Sequence, residues 1–243
     1  HEEIKLGRPR RDRWIENYRE SIRNMGELGI HVLCYNFMPI FDWTRTDLEM
    51  RLPDGSTALA YDHDALRRID LSRGTGDLPG WATAYDAQQL AALLEAYREV
   101  DGERLWENLG YFLERVVPVA EEYGVRMAIH PDDPPWSIFG LPRIITDGPA
   151  LERLVGLVDS PSNGVTFCTG SLGPRPDNDL PAMIRSIGGR GRINFVHCRN
   201  VRRTGDRQFH ESPHPSAFGS VDMREVLRAL RETGFDGPMR PDH

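Results

Sequence analysis

The sequence predicts an α/β protein of the TIM type. The expectation is a (β/α)8 barrel, only part of which lies in this chain, with a mainly helical or irregular insertion. Three observations lead there. Apolar strand-like runs alternate with amphipathic helical stretches, the order that builds a parallel sheet with crossover helices. Glycines stand where the helices should stop. Metal-binding residue types recur at the ends of the strand-like runs, and a parallel barrel opens its active face at those ends. The 243 residues suffice for one large domain with a sizeable core, so residues 1–243 are read as a single (β/α) barrel domain.

The elements follow in order. Residues 12–28 place Ile15, Tyr18, Ile22 and Met25 on one helical face, and Gly29 ends the pattern. Residues 30–37 form an apolar run that reads as a buried strand. Residues 42–85 are polar and irregular, with turn signals at Pro53-Asp54-Gly55 and at 74–76. They are expected to be an insertion covering one end of the fold. Helical periodicity returns at 86–100, where Asp86 and Gln89 match a capping box, and continues over 103–123 up to Gly124. Then come strand 125–130, helix 148–158 with Pro149 in its first turn, strand 164–168, a short helix at 179–187 and strand 192–197. The last helix, 222–232, carries a second capping-box pair, Asp222 and Glu225, and Gly234 stops it; a final strand runs through 236–240. Five strands are readable, whereas a closed barrel has eight. A chain that begins at His1 without a methionine and stops at His243 beside a strand is expected to be part of a longer polypeptide that supplies the others.

Composition narrows the function classes. Apolar residues make up 39% and charged residues 28% of the chain, as in ordinary globular proteins. No run of about 18 apolar residues exists, so no membrane-spanning helix is expected. The net charge of −7 argues against nucleic acid as a partner, since a nucleic-acid-binding domain usually carries a basic face. The three cysteines, Cys34, Cys168 and Cys198, provide no disulfide framework and suit a reducing, cytoplasmic compartment.

Four strands end in His130, Cys168, His197 and Asp242. Parallel strand ends converge in a barrel. One thiolate, two imidazoles and one carboxylate make a divalent-cation shell that could leave a position open for substrate oxygen. The thiolate by itself would suggest zinc, so ligand type leaves the metal undecided. Arg199, with Asn200 beside it, follows the third of these strand ends, and its guanidinium could pair with a substrate carboxylate. His210 lies in a glycine-bounded segment from which it could reach substrate. The proline-stiffened run 130–136 has the character of a substrate-covering loop. Cys198 should point away from His197 and pack, Cys34 should lie in the core, and Arg202 and Arg203 read as solvated loop charges.

Several blocks carry a family resemblance. Ala128-Ile129-His130-Pro131-Asp132-Asp133-Pro134-Pro135, Asn163-Gly164-Val165-Thr166-Phe167-Cys168-Thr169-Gly170 and Phe195-Val196-His197-Cys198-Arg199-Asn200 are three. Phe209-His210-Glu211-Ser212 and the stretches 219–223, 234–243, 32–39 and 42–46 are the others. Together they resemble the mannonate dehydratases of the uronate pathway, which have a sugar-isomerase-like barrel, rather than the enolase-like enzymes of the same activity. The resemblance covers nearly the whole chain. It implies dehydration of D-mannonate to 2-keto-3-deoxy-D-gluconate with bound Mn²⁺ or Fe²⁺. It also implies His130, Cys168, His197 and Asp242 as ligands, and His243 as an acid–base residue whose family partner, a tyrosine, follows it. Cys198 departs from the pattern, where an aliphatic residue is expected. A small anionic sugar acid is the expected partner, along with further copies of the chain in a dimer or tetramer, for which the 42–85 insertion is a candidate contact. Two alternatives stand beside this reading: a metal-dependent sugar isomerase on the same barrel, and a non-catalytic module holding a structural zinc.

Overall fold

The computed structural model describes residues 1–71 and 85–242. A short helix α1 (Glu2–Lys5) leads into α2 (Arg11–Glu27), which buries Ile15 and Ile22 and turns out at Gly29 with φ 72°. Strand β1 (Val32–Tyr35) follows. Then come β2 (Asp47–Arg51), β3 (Thr57–Asp62) and the single-turn helix α3 (His63–Arg67). Helix α4 (Ala87–Ala96) opens with the expected capping box between Asp86 and Gln89 and tightens into a 3₁₀ turn at Tyr97–Glu99. The longest helix, α5 (Gly102–Glu122), has Asp101 capping the Arg104 amide and buries Leu105, Leu109, Phe112, Leu113, Val116 and Val117. These residues form the centre of the core, against which β4 (Arg126–Ile129) packs.

The second half repeats the unit. Helix α6 (Gly148–Leu157) precedes β5 (Asn163–Cys168), which is buried at every position. A short helix α7 (Thr169–Leu172) and α8 (Leu180–Gly189) lead to β6 (Ile193–Cys198). Strands β7 (Asn200–Gly205) and β8 (Gln208–Ser212) come next. Helix α9 (Met223–Glu232) and strand β9 (Met239–Pro241) complete the chain. The second expected capping box is one-sided. Asp222 accepts from the Arg224 and Glu225 amides, while Glu225 is drawn to Arg228 on its own helix.

The five expected strands form one parallel sheet in the order β1-β4-β5-β6-β9. With helices as crossovers, this is the curled sheet of an incomplete (β/α)8 barrel. Strand β1 lies at its edge, so Cys34, expected in the core, is exposed instead.

A second sheet departs from expectation. Strands β2-β3-β8-β7 form a four-stranded antiparallel sheet. The described part of the 42–85 segment remains mostly irregular, with the short helix α3, as expected, but it also contributes the strands β2 and β3, which were not expected. Pro53-Asp54-Gly55 is its hairpin turn, closed by Leu52 N to Ser56 O at 2.9 Å and tightened by Asp54 Oδ1, which accepts from the Ser56 amide. The turn signal at 74–76 lies outside the described residues. The strands escape sequence reading because β2 is exposed along most of its length and has no apolar alternation. The second sheet seats on the barrel through aromatic contacts. The Tyr61 ring stacks on Phe209 at 5.5 Å and lies 5.6 Å from Trp136, whose Nε1 donates to the Tyr61 hydroxyl at 3.1 Å.

Candidate metal centre

The parallel sheet brings the strand-end residues together. His130 follows β4, Cys168 ends β5 opposite His197 of β6, and Asp242 follows β9. The ligand atoms of His130, Cys168 and His197 all lie within 4.8 Å of one another. Asp242 joins them, its Oδ2 standing 3.6 Å from His197 Nδ1. His130 Nδ1 donates to the Pro131 carbonyl at 2.7 Å. That bond fixes the tautomer and leaves Nε2 as a lone-pair donor toward the cluster.

Two features show that these residues suit a cation. His197 is only 8% exposed, yet neither ring nitrogen has a hydrogen-bond partner among the described residues. Burying an imidazole with both nitrogens unmet is costly, and a cation held among these donors removes that cost. Cys168 supplies the second feature. Burial alone would raise its thiol, but Arg199 and His130 beside it pull it well below its ordinary value, which favours the thiolate form that a metal ligand needs. For His130, burial works to lower the imidazole pKa and the Cys168 thiolate raises it overall. Cys198, by contrast, is pushed up to about 11 by burial, as fits a packing thiol.

Behind the thiolate lies a buried ionic cluster. Arg199, 2% exposed, donates from Nη2 to Asp133 at 2.7 Å and to Ser171 Oγ at 3.2 Å, and from Nη1 to Glu211 at 3.0 Å. Its Nη1 is also 3.7 Å from Asp242. Arg45, wholly buried, takes the other side of the same carboxylates, at 2.7 Å from Asp133 and 3.1 Å from Glu211. Each carboxylate thus bridges two guanidiniums, and the cluster joins the antiparallel sheet to the barrel. Burial alone would raise the Asp133 carboxyl, but Arg45 and Arg199 hold it well below the usual carboxylate range. Asp132 is buried as well and accepts from the Ile144 and Ile145 amides at 2.6 and 3.0 Å. The run 130–136, expected to cover substrate, is therefore part of the packed floor.

The remaining expected site residues divide. Arg199 and Asp242 line two cavities. The first, about 410 Å³, opens onto the metal cluster beside Cys34, Asn36 and Trp43. The second, about 860 Å³, lies under the β2–β3 hairpin and is lined by His210. His210 Nδ1 donates to the Glu211 carbonyl at 2.8 Å. Asn200 was expected at the substrate but is fully buried away from both cavities. Its amide donates to the carbonyls of His214, Pro215 and Val221 and accepts from the Val201 and Val221 amides. A side chain so fully engaged holds a loop instead of a ligand. His243 lies outside the described residues. Arg45, Asp133, Glu211 and Ser171 were not recognised from sequence as parts of the site. The only available signal was the presence of the first three in the resemblance blocks.

Comparison with known proteins identifies the family. The model of the D-mannonate dehydratase (UxuA) family matches residues 1–243. A mannonate dehydratase of Halalkalibacterium halodurans is 55% identical over 243 residues, covering all of this chain and 70% of that protein. One from Thermotoga maritima is 53% identical over 253 residues, with the same coverage. The solved mannonate dehydratase of Streptococcus suis superposes with a TM-score of 0.91 at 49% identity, covering all of this chain and 66% of that one. A D-tagatose 3-epimerase-like protein shares the fold at a TM-score of 0.52 and 18% identity. The chain spans roughly two thirds of the length of these dehydratases, and the dehydratase reading prevails over the isomerase alternative. By sequence match along its whole length and by superposition on a solved member, the chain belongs to the D-mannonate dehydratase family of hydro-lyases.

Proposed function

We propose that this chain carries the metal-binding part of an active site that converts D-mannonate to 2-keto-3-deoxy-D-gluconate and water, within hexuronate (glucuronate) catabolism. The observation that carries the reading is the convergence of the ligand atoms of His130, Cys168 and His197 within 4.8 Å, with neither buried His197 nitrogen hydrogen-bonded among the described residues. With Asp242, these residues would hold Mn²⁺ or Fe²⁺, with other divalent cations as competitors. When bound, the cation would supply Lewis-acid stabilisation for charge developing next to the substrate carboxylate.

The chain's own residues account for the rest. Arg199 reaches both cavities while anchored to Asp133 and Glu211, so it would present a fixed positive charge to the substrate carboxylate. His210, its Nδ1 engaged by a carbonyl, would offer Nε2 to a substrate hydroxyl. His243, next to Asp242, would move a proton, either from C2 or to the departing C3 hydroxyl. Asn200 would act at one remove, by holding the 214–221 loop. The enzyme would work in the cytoplasm as a homo-oligomer, a dimer or tetramer; three free cysteines support the reducing compartment.

The test uses the full-length protein. It is stripped with chelator, reloaded with Mn²⁺, given D-mannonate and assayed for 2-keto-3-deoxygluconate. Metal-dependent product is expected. A folded protein that makes none with any divalent metal sinks the proposal.

A further inference from the structure

The cavity under the β2–β3 hairpin contains polar groups that the proposed chemistry leaves unused. Ser212 Oγ and His214 Nε2 are both buried, line this cavity, and have no hydrogen-bond partner among the described residues. The exposed side chain of Arg202 lines it too and makes no hydrogen bond or ion pair among the described residues. It pairs with His210 across the β7–β8 register, so the two side chains stand on one face of the sheet. Buried polar atoms are normally satisfied, and two such orphans, Ser212 Oγ and His214 Nε2, lining one cavity indicate that a ligand completes them. The cavity begins at the metal centre, since Asp242 and Arg199 line both.

We propose that this cavity is the subsite for the hydroxylated tail of the sugar acid, with Ser212, His214 and Arg202 as its hydrogen-bonding groups and Asn200 as a positioning residue. The proposal rests on the dehydratase reading and deepens it. A hexonate whose carboxylate end is held at the metal cluster must extend its last three carbons away from it. A hydroxyl both donates and accepts, so it can satisfy a serine oxygen, an imidazole nitrogen or a guanidinium N–H. Asn200 sets the position of His214 by donating to the His214 and Pro215 carbonyls at 3.2 and 3.4 Å. The loop can close on Asn200 only because residue 219 is glycine: a Cβ there would stand 2.1 Å from Asn200 Oδ1.

The experiment uses the Mn²⁺-loaded full-length protein and the single variants Ser212→Ala, His214→Ala and Arg202→Gln. D-Glycerate serves as a competitive inhibitor that carries the carboxylate and first two hydroxyls but no tail. The expected result is a KM for D-mannonate raised about tenfold in each variant, as for loss of one hydrogen bond to a substrate hydroxyl. kcat should change far less, and Mn²⁺ affinity and glycerate inhibition should stay at wild-type values. An unchanged KM in all three variants overturns the subsite. So does a loss of Mn²⁺ affinity or glycerate inhibition in step with KM, because the residues would then act on the metal centre or the fold. A wild-type enzyme without dehydratase activity overturns the underlying reading. An active wild type with indifferent variants overturns only the subsite.

Discussion

Asp133 is fully buried and ionised, and two arginines make that possible. Removing one partner of such a cluster strands the others in a low-dielectric site, which costs more than the pair itself contributes. Asp133→Asn should destabilise the protein by about 3 kcal/mol, read as a drop in Tm. The pH dependence has a definite sign. The carboxyl is depressed in the folded state, so its contribution is complete above the unfolded value near pH ~4 and fades as the pH falls below it. Acid titration of stability should show this loss in the wild type and a flatter acid limb in Asp133→Asn. Cys168→Ser removes the one soft, anionic sulfur from the cluster. It should weaken Mn²⁺ binding by on the order of 100-fold, measured by metal titration, and abolish the thiolate charge-transfer band of the Co²⁺-substituted enzyme. Residues at strand ends were legible because strand periodicity shows where they are and a barrel dictates that they meet. The pairing of Arg45 with Asp133 joins residues 88 positions apart. No local pattern announces it, because it arises from how the second sheet docks.

At the scale of elements, α7 shows how a short turn can govern the site. It starts directly after Cys168, and the Ser171 hydroxyl lies 3.0 Å from Asp133 Oδ2 and 3.2 Å from the Cys168 sulfur, with its one proton available to either. A Cβ on Gly170 would stand 2.0 Å from Arg199 Nε and 2.9 Å from its Cγ and Cδ. Gly170→Ala must therefore push Arg199 off its carboxylates. We expect a loss of about 1–3 kcal/mol of stability, together with weaker Mn²⁺ binding. Gly156→Ala, on α6 with nothing among the described residues within 4 Å of the added methyl, serves as the control: it should leave Mn²⁺ binding unchanged and raise stability by about 0.5–1 kcal/mol, the opposite sign. Helices were the most legible elements, since their apolar faces, caps and glycine stops agree at several positions. The antiparallel sheet was not legible. Its aromatic face, Tyr61 and Phe209, meets the barrel while β2 remains mostly exposed, and the apolar alternation that marks a strand is too short there to register.

For the molecule as a whole, the core belongs to the helices and the parallel sheet, centred on α5 and β5 and built without the cluster's ligand atoms. Metal should therefore add stability without being required for folding. At free Mn²⁺ about 100 times its Kd, binding contributes about 2.7 kcal/mol. Chelation of the full-length protein should lower Tm while far-UV circular dichroism stays native. Unfolding on chelation would instead indicate a structural metal. Here the two sources of information separate. By itself, the sequence determined the alternation of strand and helix, the parallel sheet and the residue types at its strand ends, because hydrophobic period, capping and glycine stops are written within a few neighbouring residues. Only the tertiary structure decided that Asn200 holds a loop and that Asp133 and Glu211 each bind two arginines. It also decided that a polar hairpin is one wall of a cavity. Those facts depend on which distant surfaces are buried against each other, and burial is a property of the packed chain.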